Sequence, residues 1–433
     1  MLNWLAAEVL RCELVHEVVE EPIQTLSLSG ATGFVQMPDT FFSEAQNAWL
    51  DPVTLPTLPL KCVHNGVPFL YGEENSETGD QSQLGDVVGS LFFLMSRYEE
   101  AVSRETDEHC RFPSDASVLR QADLVRRAIG NEYIECLWQA MVDLWPALQE
   151  HRPQRQFRTL PSHDIDFPSA MWTPQPFLTS VRQRLSKSGL TGAAKAVARG
   201  TAYAVMGMTR NWSRDPFDTI DWIINQSEAN SLQSTFFYIP ESTSVLDPGM
   251  PIEHPHVADQ WQRIARRGHE IGCHPGYETF DQPGRIQRGA DRIRTQLESL
   301  GIQQTSLGTR QHYLRWASPK TAVACSDAGF TYDTTLAFAN EPGFRCGLCY
   351  EFPMYDLLNR QPLPLRQRPL VVMDCSVVDE RYLGLGTTAD AFDCIQELKN
   401  TCRRFSGDFT ILWHNNRFRQ PAERAFYADV LRA

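Results

Sequence analysis

The feature that most constrains the fold of this 433-residue chain is the alternation of predicted strands and helices from Thr159 onward. Short apolar runs rich in β-branched and aromatic residues predict strands at 159–165, 234–239, 270–273, 306–310, 370–373 and 409–413. Apolar residues at helical spacing predict helices at 215–230, 257–267, 286–300, 319–328 and 389–405, and from Pro421. Such alternation predicts an α/β fold with a parallel sheet, either open or closed into a barrel.

The first 150 residues predict a smaller α+β domain. Apolar runs at 25–28 and 34–37 predict short strands, and Asn65-Gly66 predicts a hairpin turn because both residues tolerate positive φ. Asp86 is typical of a helix N-cap. The polar, Pro-containing segment 151–158 predicts the boundary, so we expect domains at 1–150 and 158–433.

Charge and cysteine content exclude some classes of function. The chain has 40 basic and 53 acidic side chains and a net charge of −13, which argues against nucleic acid as a partner. Its 11 cysteines follow no regular framework, which favours reduced thiols. Charged residues interrupt the N-terminus too early for a signal peptide, so we expect a cytoplasmic protein.

Chemically active side chains follow the predicted strands. Asp164, Asp166, His274, Arg310 and His414 all stand at or just beyond a strand's carboxyl end. Active groups of parallel α/β folds gather at that edge of the sheet. The sequence therefore predicts one site built from several strands.

Asp164 and Asp166 predict a cation in this site. Side chains two residues apart in a strand point to the same face, so the two carboxylates share one side of the sheet. Two crowded carboxylates repel each other unless a cation lies between them. A divalent metal at Asp166, with Asp164 left free as a base, would relieve this repulsion and support hydrolysis.

One stretch departs from the acidic composition. Residues 167–214 contain seven Lys and Arg side chains and no Asp or Glu, and 181–208 has the pattern of an amphipathic helix. Two interpretations remain open. The segment is either a solvated helical insertion, or a surface that contacts an anionic membrane or a polyanionic glycan carrier.

The motifs together resemble a known family. His163-Asp164-Ile165-Asp166 is similar to the first motif of one branch of the polysaccharide deacetylase superfamily (carbohydrate esterase family four), which reads His-Asp-(Val/Ile)-Asp. The resemblance covers roughly 158–420, with five motifs in the right order, each at a strand end. Residues 96–100 and 111–113 resemble the accessory domain that precedes the barrel in that branch.

The resemblance implies a distorted (β/α) barrel that removes acetyl groups from an N-acetylated sugar or glycan with the help of a divalent metal, with zinc the expected ion. It implies the following roles in this chain: Asp164 as general base, Asp166 and His274 as metal ligands, Arg310 orienting Asp164, His414 as general acid, and Asp333 orienting His414.

The second motif departs from the family pattern. The family has two His four residues apart, whereas position 278, four residues after His274, is Glu278. Three interpretations stay open. Glu278 is the third metal ligand, or His312 supplies the missing nitrogen, or the metal is lost and the domain only binds sugar.

The loop after Arg310 predicts a substrate contact. His312, Tyr313, Arg315 and Trp316 stand close together there. Sugar rings stack on aromatic side chains, and guanidinium groups pair with carboxylates or phosphates. We therefore expect these four residues to bind substrate.

Three hypotheses about function follow. The first is a cytoplasmic, metal-dependent deacetylase acting on a surface polysaccharide or its precursor. The second is a catalytically silent carbohydrate-binding protein on the same scaffold, which Glu278 favours. The third is a hydrolase of another carbon–nitrogen bond, which would use the same residues on a small amide. A complete set of Asp164, Arg310 and His414 favours the first hypothesis over the second.

Overall fold

A computed structural model of the chain describes residues 1–20, 22–73, 83–170, 172, 177–209 and 211–432. In the N-terminal region the strands are β1 (Leu14–Glu20), β2 (Ile23–Leu28), β3 (Val35–Pro38), β4 (Val63–His64) and β5 (Val67–Pro68). Its helices are α1 (Leu2–Trp4), α2 (Thr40–Ala45), α3 (Val87–Ser96), α4 (Tyr98–Val102), α5 (Val118–Gln121) and α6 (Ile129–Leu144). A π-helix spans Leu5–Leu10.

The C-terminal region alternates strands and helices. Its strands are β6 (Arg158–Ile165), β7 (Thr235–Tyr238), β8 (Glu270–Cys273), β9 (Gly308–Thr309), β10 (Tyr332–Asp333), β11 (Phe352–Asp356), β12 (Gln361–Gln367), β13 (Val372–Met373) and β14 (Asp408–Leu412). Its helices are α7 (Phe177–Thr209), α8 (Ile220–Ala229), α9 (Pro255–Arg266), α10 (Pro283–Ser299), α11 (Lys320–Asp327), α12 (Asp374–Val378), α13 (Ala389–Arg404) and α14 (Pro421–Arg432). Short 3-10 turns include Trp212–Arg214, His312–Leu314 and Asn415–Arg419.

Nine strands form one sheet in the order β11-β12-β10-β9-β8-β7-β6-β14-β13. All neighbours are parallel except the hairpin of β11 and β12. Three strands separate β14 from β9, which would place them about 19 Å apart in a flat sheet. Yet His414, after β14, and His312, after β9, both have Nε2 3.7 Å from the Asp166 carboxylate. The sheet therefore curls, which confirms the distorted (β/α) barrel.

Local sequence explains how α3 begins. The Asp86 carboxylate caps it by accepting a hydrogen bond from Gly89 N at 2.7 Å. The same carboxylate accepts hydrogen bonds from the backbone N–H of Phe41 and the amide of Gln24, both at 2.9 Å. One buried acid thus joins α3 to the start of α2 and to β2, and the predicted N-cap is confirmed.

The α8 helix begins later than predicted. We expected it to start at Asp215, but it starts at Ile220. The Asp215 carboxylate instead accepts hydrogen bonds from Ser169, Ala170 N and Phe217 N. Asp215 therefore holds a turn next to the loop that follows β6.

Both regions of the chain share one hydrophobic core, which includes residues from Trp4 to Leu431. A buried charge cluster also joins them. Glu100, at the N-terminal region's α4, accepts hydrogen bonds from Arg97 at 3.0 and 2.9 Å and from Arg345 at 2.8 Å. Arg345 lies in the loop before β11, so this cluster crosses between the two regions.

Helix α7 has 33 residues, longer than the amphipathic segment expected at 181–208. The side chains of 181–184 and 186–189 lie outside the described residues. Within the part of the chain that the structure describes, no helix combines the length and apolar character needed to cross a membrane.

Candidate active site

The site begins where β6 ends. Asp164 is the second-to-last residue of the strand, and Asp166 is the first residue after it. Both carboxylates line the same cavity. His163, between Ser162 and Asp164, points to the other side of the sheet, where its Nδ1 lies 2.8 Å from the carbonyl oxygen of Trp413. Strand alternation thus separates His163 from the two acids.

Asp166, His274 and His312, which follow three different strands, lie close together. The Asp166 Oδ1 atom lies 3.4 Å from His274 Nε2 and 3.7 Å from His312 Nε2. His274 follows β8, and His312 follows β9 in a 3-10 turn. The ligand atoms of these three residues all lie within 4.8 Å of one another.

Hydrogen bonds fix the orientation of both imidazoles. Nδ1 of His274 is 2.5 Å from the carbonyl oxygen of Arg310, and Nδ1 of His312 is 2.6 Å from Asp247 Oδ1. Each Nδ1 lies against an oxygen acceptor and each Nε2 faces Asp166, so Nε2 is the nitrogen of each ring that could bind a metal. Metal-binding histidines commonly have this arrangement.

The three residues fit a divalent metal. Asp166 Oδ1 is buried and has no hydrogen-bond partner among the described residues, which is costly for a carboxylate oxygen without a cation. Burial would raise the pKa of Asp166, but His312, His274 and His414 together lower it below its ordinary value. Zinc at ordinary bond lengths holds neighbouring tetrahedral ligands about 3.3 Å apart. The observed separations of 3.4 and 3.7 Å are close to this value.

The structure does not place Glu278 with these ligands. Its side chain is 55% exposed and lies 3.4 Å from Arg285 Nη1. The chain turns after His274, since Thr279 N donates to Gly276 O, and this turn directs Glu278 outward. The structure thus does not bring Glu278 to the expected ligand position; His312, the alternative, lies beside Asp166 and His274 instead.

Arg310 holds Asp164 from behind. Its Nη1 donates to Asp164 Oδ1 at 2.8 Å, and its Nη2 donates to Ser162 Oγ at 2.8 Å. The guanidinium also stacks on Phe237, with 4.5 Å between Cζ and the ring centroid. These contacts fix Asp164 Oδ1, and Asp164 Oδ2 lies 3.6 Å from His274 Nε2.

His414 lies on the opposite side of Asp166, paired with Asp374. Its Nδ1 is 2.8 Å from Asp374 Oδ1, and its Nε2 is 3.7 Å from Asp166 Oδ2. Burial opposes protonation, but Asp374, together with Cys375, raises the pKa of His414 well above its ordinary value. A protonated imidazole that faces the cavity is suited to donate a proton.

Asp374, not Asp333, orients His414. Asp333 is fully buried, and its carboxylate accepts hydrogen bonds from Thr335 N at 2.7 Å and Thr335 Oγ1 at 2.6 Å. It therefore holds the turn after β10. Asp374 follows β13 directly, so the strand-end argument could have identified it from the predicted strand at 370–373.

A second cluster of ligand types surrounds His414. Asp374, Cys375 and His414 offer ligand atoms within 4.8 Å of one another. However, Arg417 Nε lies 2.9 Å from Asp374 Oδ2, and Arg417 Nη2 lies 3.4 Å from Cys375 Sγ. A fixed positive charge inside the cluster repels a cation. Arg417 thus already neutralises the Asp374 carboxylate, as a bound metal would.

The cavity above the site has a volume of about 350 Å³. Besides the acids and imidazoles, residues that the sequence did not indicate line it: Arg111, Met373, Cys375, Asp379, Arg381, Tyr382 and Arg417. Arg111 belongs to the N-terminal region and donates to the carbonyl oxygen of Tyr313 at 3.1 Å. The N-terminal region thus forms part of the wall of this cavity.

Only part of the predicted substrate loop faces the cavity. Tyr313 lines it. Arg315 instead donates to the carbonyl oxygen of His109 at 2.7 Å and stacks between Tyr277 and Phe280 at 4.1 and 4.0 Å. Trp316 is only 3% exposed and belongs to the hydrophobic core. Arg315 and Trp316 therefore pack inside the protein and stabilise the loop. This corrects the prediction that they bind substrate.

Comparisons with known proteins give two results for this chain. Residues 10–146 match the model of a family of unknown function, DUF7033. No curated protein matches the chain significantly.

Several solved structures resemble it. A Mycobacterium smegmatis protein assigned as a polysaccharide deacetylase is 18% identical, with a TM-score of 0.39, and the match covers 64% of this chain and 85% of that one. A Pseudomonas aeruginosa PAO1 protein with the same assignment is 14% identical, with a TM-score of 0.38, and the match covers 65% of this chain and 88% of that one. The Puue allantoinase is 14% identical, with a TM-score of 0.37, and the match covers 65% of this chain and 87% of that one.

Proposed function

We propose that the protein is a metal-dependent hydrolase that removes the N-acetyl group of an amino sugar in a surface polysaccharide or its precursor. One observation carries the proposal: the buried Asp166 oxygen faces two imidazoles whose other nitrogens are already occupied. The base and acid expected for amide hydrolysis, Asp164 and His414, lie on either side of it.

Asp166, His274 and His312 would hold the metal, with zinc the expected ion because it accepts mixed nitrogen and oxygen ligands. When bound, a divalent metal polarises the amide carbonyl and lowers the pKa of water. Three protein ligands leave room for further ligands, as catalytic metal sites require.

Asp164 is proposed to accept the proton of the attacking water. The water oxygen forms a bond to the carbonyl carbon, and the proton passes to the Asp164 carboxylate. Arg310 keeps this carboxylate in place through the bond from Nη1 at 2.8 Å. An ionised partner makes that bond stronger than a neutral one, so the base is positioned before substrate binds.

His414 is proposed to donate a proton to the amide nitrogen as the carbon–nitrogen bond breaks. The products are acetate and the free amine, and the proton taken up by Asp164 balances the one that His414 gives. Asp374 keeps His414 charged and fixes its ring, so Nε2 points toward the cavity. Without this proton the leaving amine would be expelled as a poorly stabilised anion.

The cavity wall fits a sugar ring. Tyr313 and Tyr382 supply aromatic surface at the cavity, and Arg111 and Arg381 supply hydrogen-bond donors. Sugars bind through stacking on such rings combined with polar contacts at the edge. The N-terminal region therefore takes part in substrate binding in this proposal.

Metal content tests the proposed ligand set. We expect near-stoichiometric zinc, cobalt or nickel in the reconstituted chain, measured by elemental mass spectrometry. His312→Gln and Asp166→Asn should each reduce metal affinity about 10–100-fold or more, because each removes a ligand. Glu278→Gln is the matched control and should retain the metal. No metal in the parent, or metal loss in Glu278→Gln, would contradict the ligand set.

Activity tests the reaction. We expect acetate release from N-acetylglucosamine oligosaccharides, and Asp164→Asn should lower kcat about 10²–10⁴-fold while retaining metal. A metal-loaded parent that binds these oligosaccharides without releasing acetate would favour the silent binder. Hydrolysis of small amides but not of the sugars would assign a different carbon–nitrogen hydrolase.

A further inference from the structure

Of the three proposed metal ligands, His312 is the one that no strand positions directly. Asp166 and His274 come immediately after strands, β6 and β8. His312 comes three residues after β9 ends at Thr309, and it begins the 3-10 turn His312–Leu314. A strand places the residue at its end accurately, whereas a residue in a turn takes its position from whatever holds the turn.

The turn that carries His312 has an uncommon backbone conformation. Tyr313 and Leu314 follow one another with φ of 59° and 55°, both left-handed. Residues other than glycine seldom adopt this conformation, and two in succession persist only where surrounding contacts hold them. Within the segment, Leu314 N donates to Gln311 O at 3.0 Å, and Arg315 N donates to His312 O at a long 3.4 Å. The turn therefore depends on contacts from outside it.

The N-terminal region provides such contacts from the loop 107–111, which is itself tightly closed. Asp107 N donates to Arg111 O at 2.9 Å. The Asp107 carboxylate accepts hydrogen bonds from His109 N at 2.8 Å, Arg111 N at 2.9 Å and Arg111 Nε at 2.7 Å. Burial would raise the pKa of Asp107, but these bonds lower it. The loop is thus well fixed where it faces the turn.

Three contacts join this loop to the turn. Arg111 Nη1 donates at 3.1 Å to the Tyr313 carbonyl oxygen, in the peptide between the two left-handed residues. Arg315 Nε donates to His109 O at 2.7 Å. The rings of His109 and Tyr313 pack together, with 4.7 Å between their centroids. The loop therefore holds the backbone of the turn, one of its side chains and the residue that follows it.

We infer that Arg111 is a positioning residue for the proposed metal site and acts on His312 through Tyr313. Arg111 is only 7% exposed, and its guanidinium is held by the loop on one side and holds the turn on the other. Asp247 fixes the orientation of the His312 ring through Nδ1 at 2.6 Å. A ring of fixed orientation moves with its backbone, so the turn sets the distance from His312 Nε2 to Asp166, which is 3.7 Å.

The N-terminal region then contributes to the metal site as well as to the cavity wall. The loop 107–111 lies within residues 10–146, which match the family of unknown function. Because the loop holds the turn only when the two regions are docked, docking and metal binding stabilise each other. The effect on the metal rests on the proposed function, whereas the hold on the turn does not.

Zinc affinity of full-length variants tests this role. We expect Arg111→Gln to weaken zinc binding about 10–100-fold, as the loss of a residue that supports a metal-binding histidine commonly does. Arg111→Lys should lie between Arg111→Gln and the parent, because an ammonium can reach the carbonyl oxygen but lacks the guanidinium fork. The matched control is Arg127→Gln, which breaks an ion pair with Glu132 in the same region and should bind zinc like the parent.

The visible absorption of the cobalt(II)-loaded protein separates positioning from general stability. Its bands depend on the geometry of the ligands. Arg111→Gln should change them because His312 moves, whereas Arg127→Gln should give the spectrum of the parent. A variant that is merely less stable would keep the parent spectrum in its folded fraction.

Hydrogen exchange tests the hold on the turn without any metal. In the metal-free protein, the amide hydrogens of Leu314 and Arg315 should exchange about tenfold faster in Arg111→Gln than in the parent, because the turn opens more often. The amides of the central strand β7 should exchange equally in both. Arg127→Gln should match the parent at the turn.

Equal zinc affinity and equal exchange in Arg111→Gln and the parent would overturn the inference. A higher KM with unchanged zinc affinity would also overturn it, since that assigns Arg111 to substrate contact alone. A parent that binds no metal would contradict the proposed ligand set and the effect on the metal, and exchange would still decide whether Arg111 holds the turn. Circular dichroism shows that each variant is folded, and Arg111→Lys replaces Arg111→Gln in the comparison if the latter unfolds.

Discussion

Asp374 shows how one buried carboxylate serves a candidate acid. It accepts hydrogen bonds from the His414 backbone N–H at 2.7 Å and from His414 Nδ1 at 2.8 Å. Arg417 Nε adds an ion pair at 2.9 Å, so the buried carboxylate is fully compensated. Burial alone would raise the pKa of Asp374, but His414 and Arg417 lower it. The pair therefore stays ionised on both sides.

This arrangement predicts a shift in the pH profile. The proposed acid works only when His414 is protonated, so activity falls as pH rises through its pKa. Asp374 raises that pKa, so Asp374→Asn should lower it and move the alkaline limb of kcat to lower pH, with a loss in kcat of about 10²–10⁴-fold.

Measured pH–rate profiles check this prediction, with Asp333→Asn as the control. Asp333 accepts hydrogen bonds from Thr335 and does not contact His414. The alkaline limb of Asp333→Asn should therefore lie at the same pH as that of the parent. An unchanged limb in Asp374→Asn, or the same shift in both variants, would contradict the assignment.

At the residue scale, the sequence was sufficient where a side chain directly ends a strand. Asp164, Asp166 and His274 follow this rule, and both carboxylates lie within 3.6 Å of His274 Nε2. The rule could not identify Asp247, which lies in an irregular loop after β7 and reaches the site through His312. Spacing taken from a family resemblance was wrong for Glu278 because the turn after His274 directs that side chain outward.

At the element scale, four adjacent strands were predictable because each contains buried apolar residues. The structure places β6, β7, β8 and β14 within a residue or two of their predicted bounds. The two-residue strand β10 was missed because two residues show no periodicity. The hairpin of β11 and β12 was missed because Pro353, Pro362 and Pro364 argue against strands. Proline is tolerated here because β11 is the edge strand and β12 pairs with β10 only at Arg366 and Gln367, beyond its prolines.

The charge cluster of Arg97, Glu100 and Arg345 is the clearest polar link between elements. Glu100 is almost fully buried and accepts three hydrogen bonds from the two guanidinium groups. Replacing it by Gln leaves the buried Arg345 without a carboxylate partner among the described residues, and leaves Arg97 with Glu99 alone, at 3.8 Å. We expect Glu100→Gln to lower the free energy of unfolding by about 3–5 kcal/mol.

Urea denaturation measures this loss. The matched control is Glu135→Gln, which breaks the exposed ion pair with Arg152 and should cost no more than about 1 kcal/mol. Similar losses in the two variants would mean that the buried cluster contributes no more than a surface pair.

At the scale of the whole molecule, one continuous hydrophobic core and the ion pairs of Glu100 connect the two regions. The cavity wall also includes both, because Arg111 comes from one region and Asp166, His274 and His312 come from the other. We therefore expect one cooperative unfolding transition, seen as a single endotherm in calorimetry and as coincident near- and far-ultraviolet circular dichroism.

Two resolved endotherms would show that the regions unfold separately and would contradict this expectation. Glu100→Gln offers a further check, since it should lower the midpoint of the single transition without splitting it.

Arg310 touches the site twice, by two different parts of the residue. Its side chain holds Asp164, whereas its main-chain carbonyl holds His274. Every amino acid has a carbonyl, so a point mutation at this codon removes the first contact and preserves the second. Under the proposed function, a descendant gene could thus lose turnover in one step and still encode a protein that binds the metal. Under the same proposal, a single substitution at position 310 would separate catalysis from ligand binding.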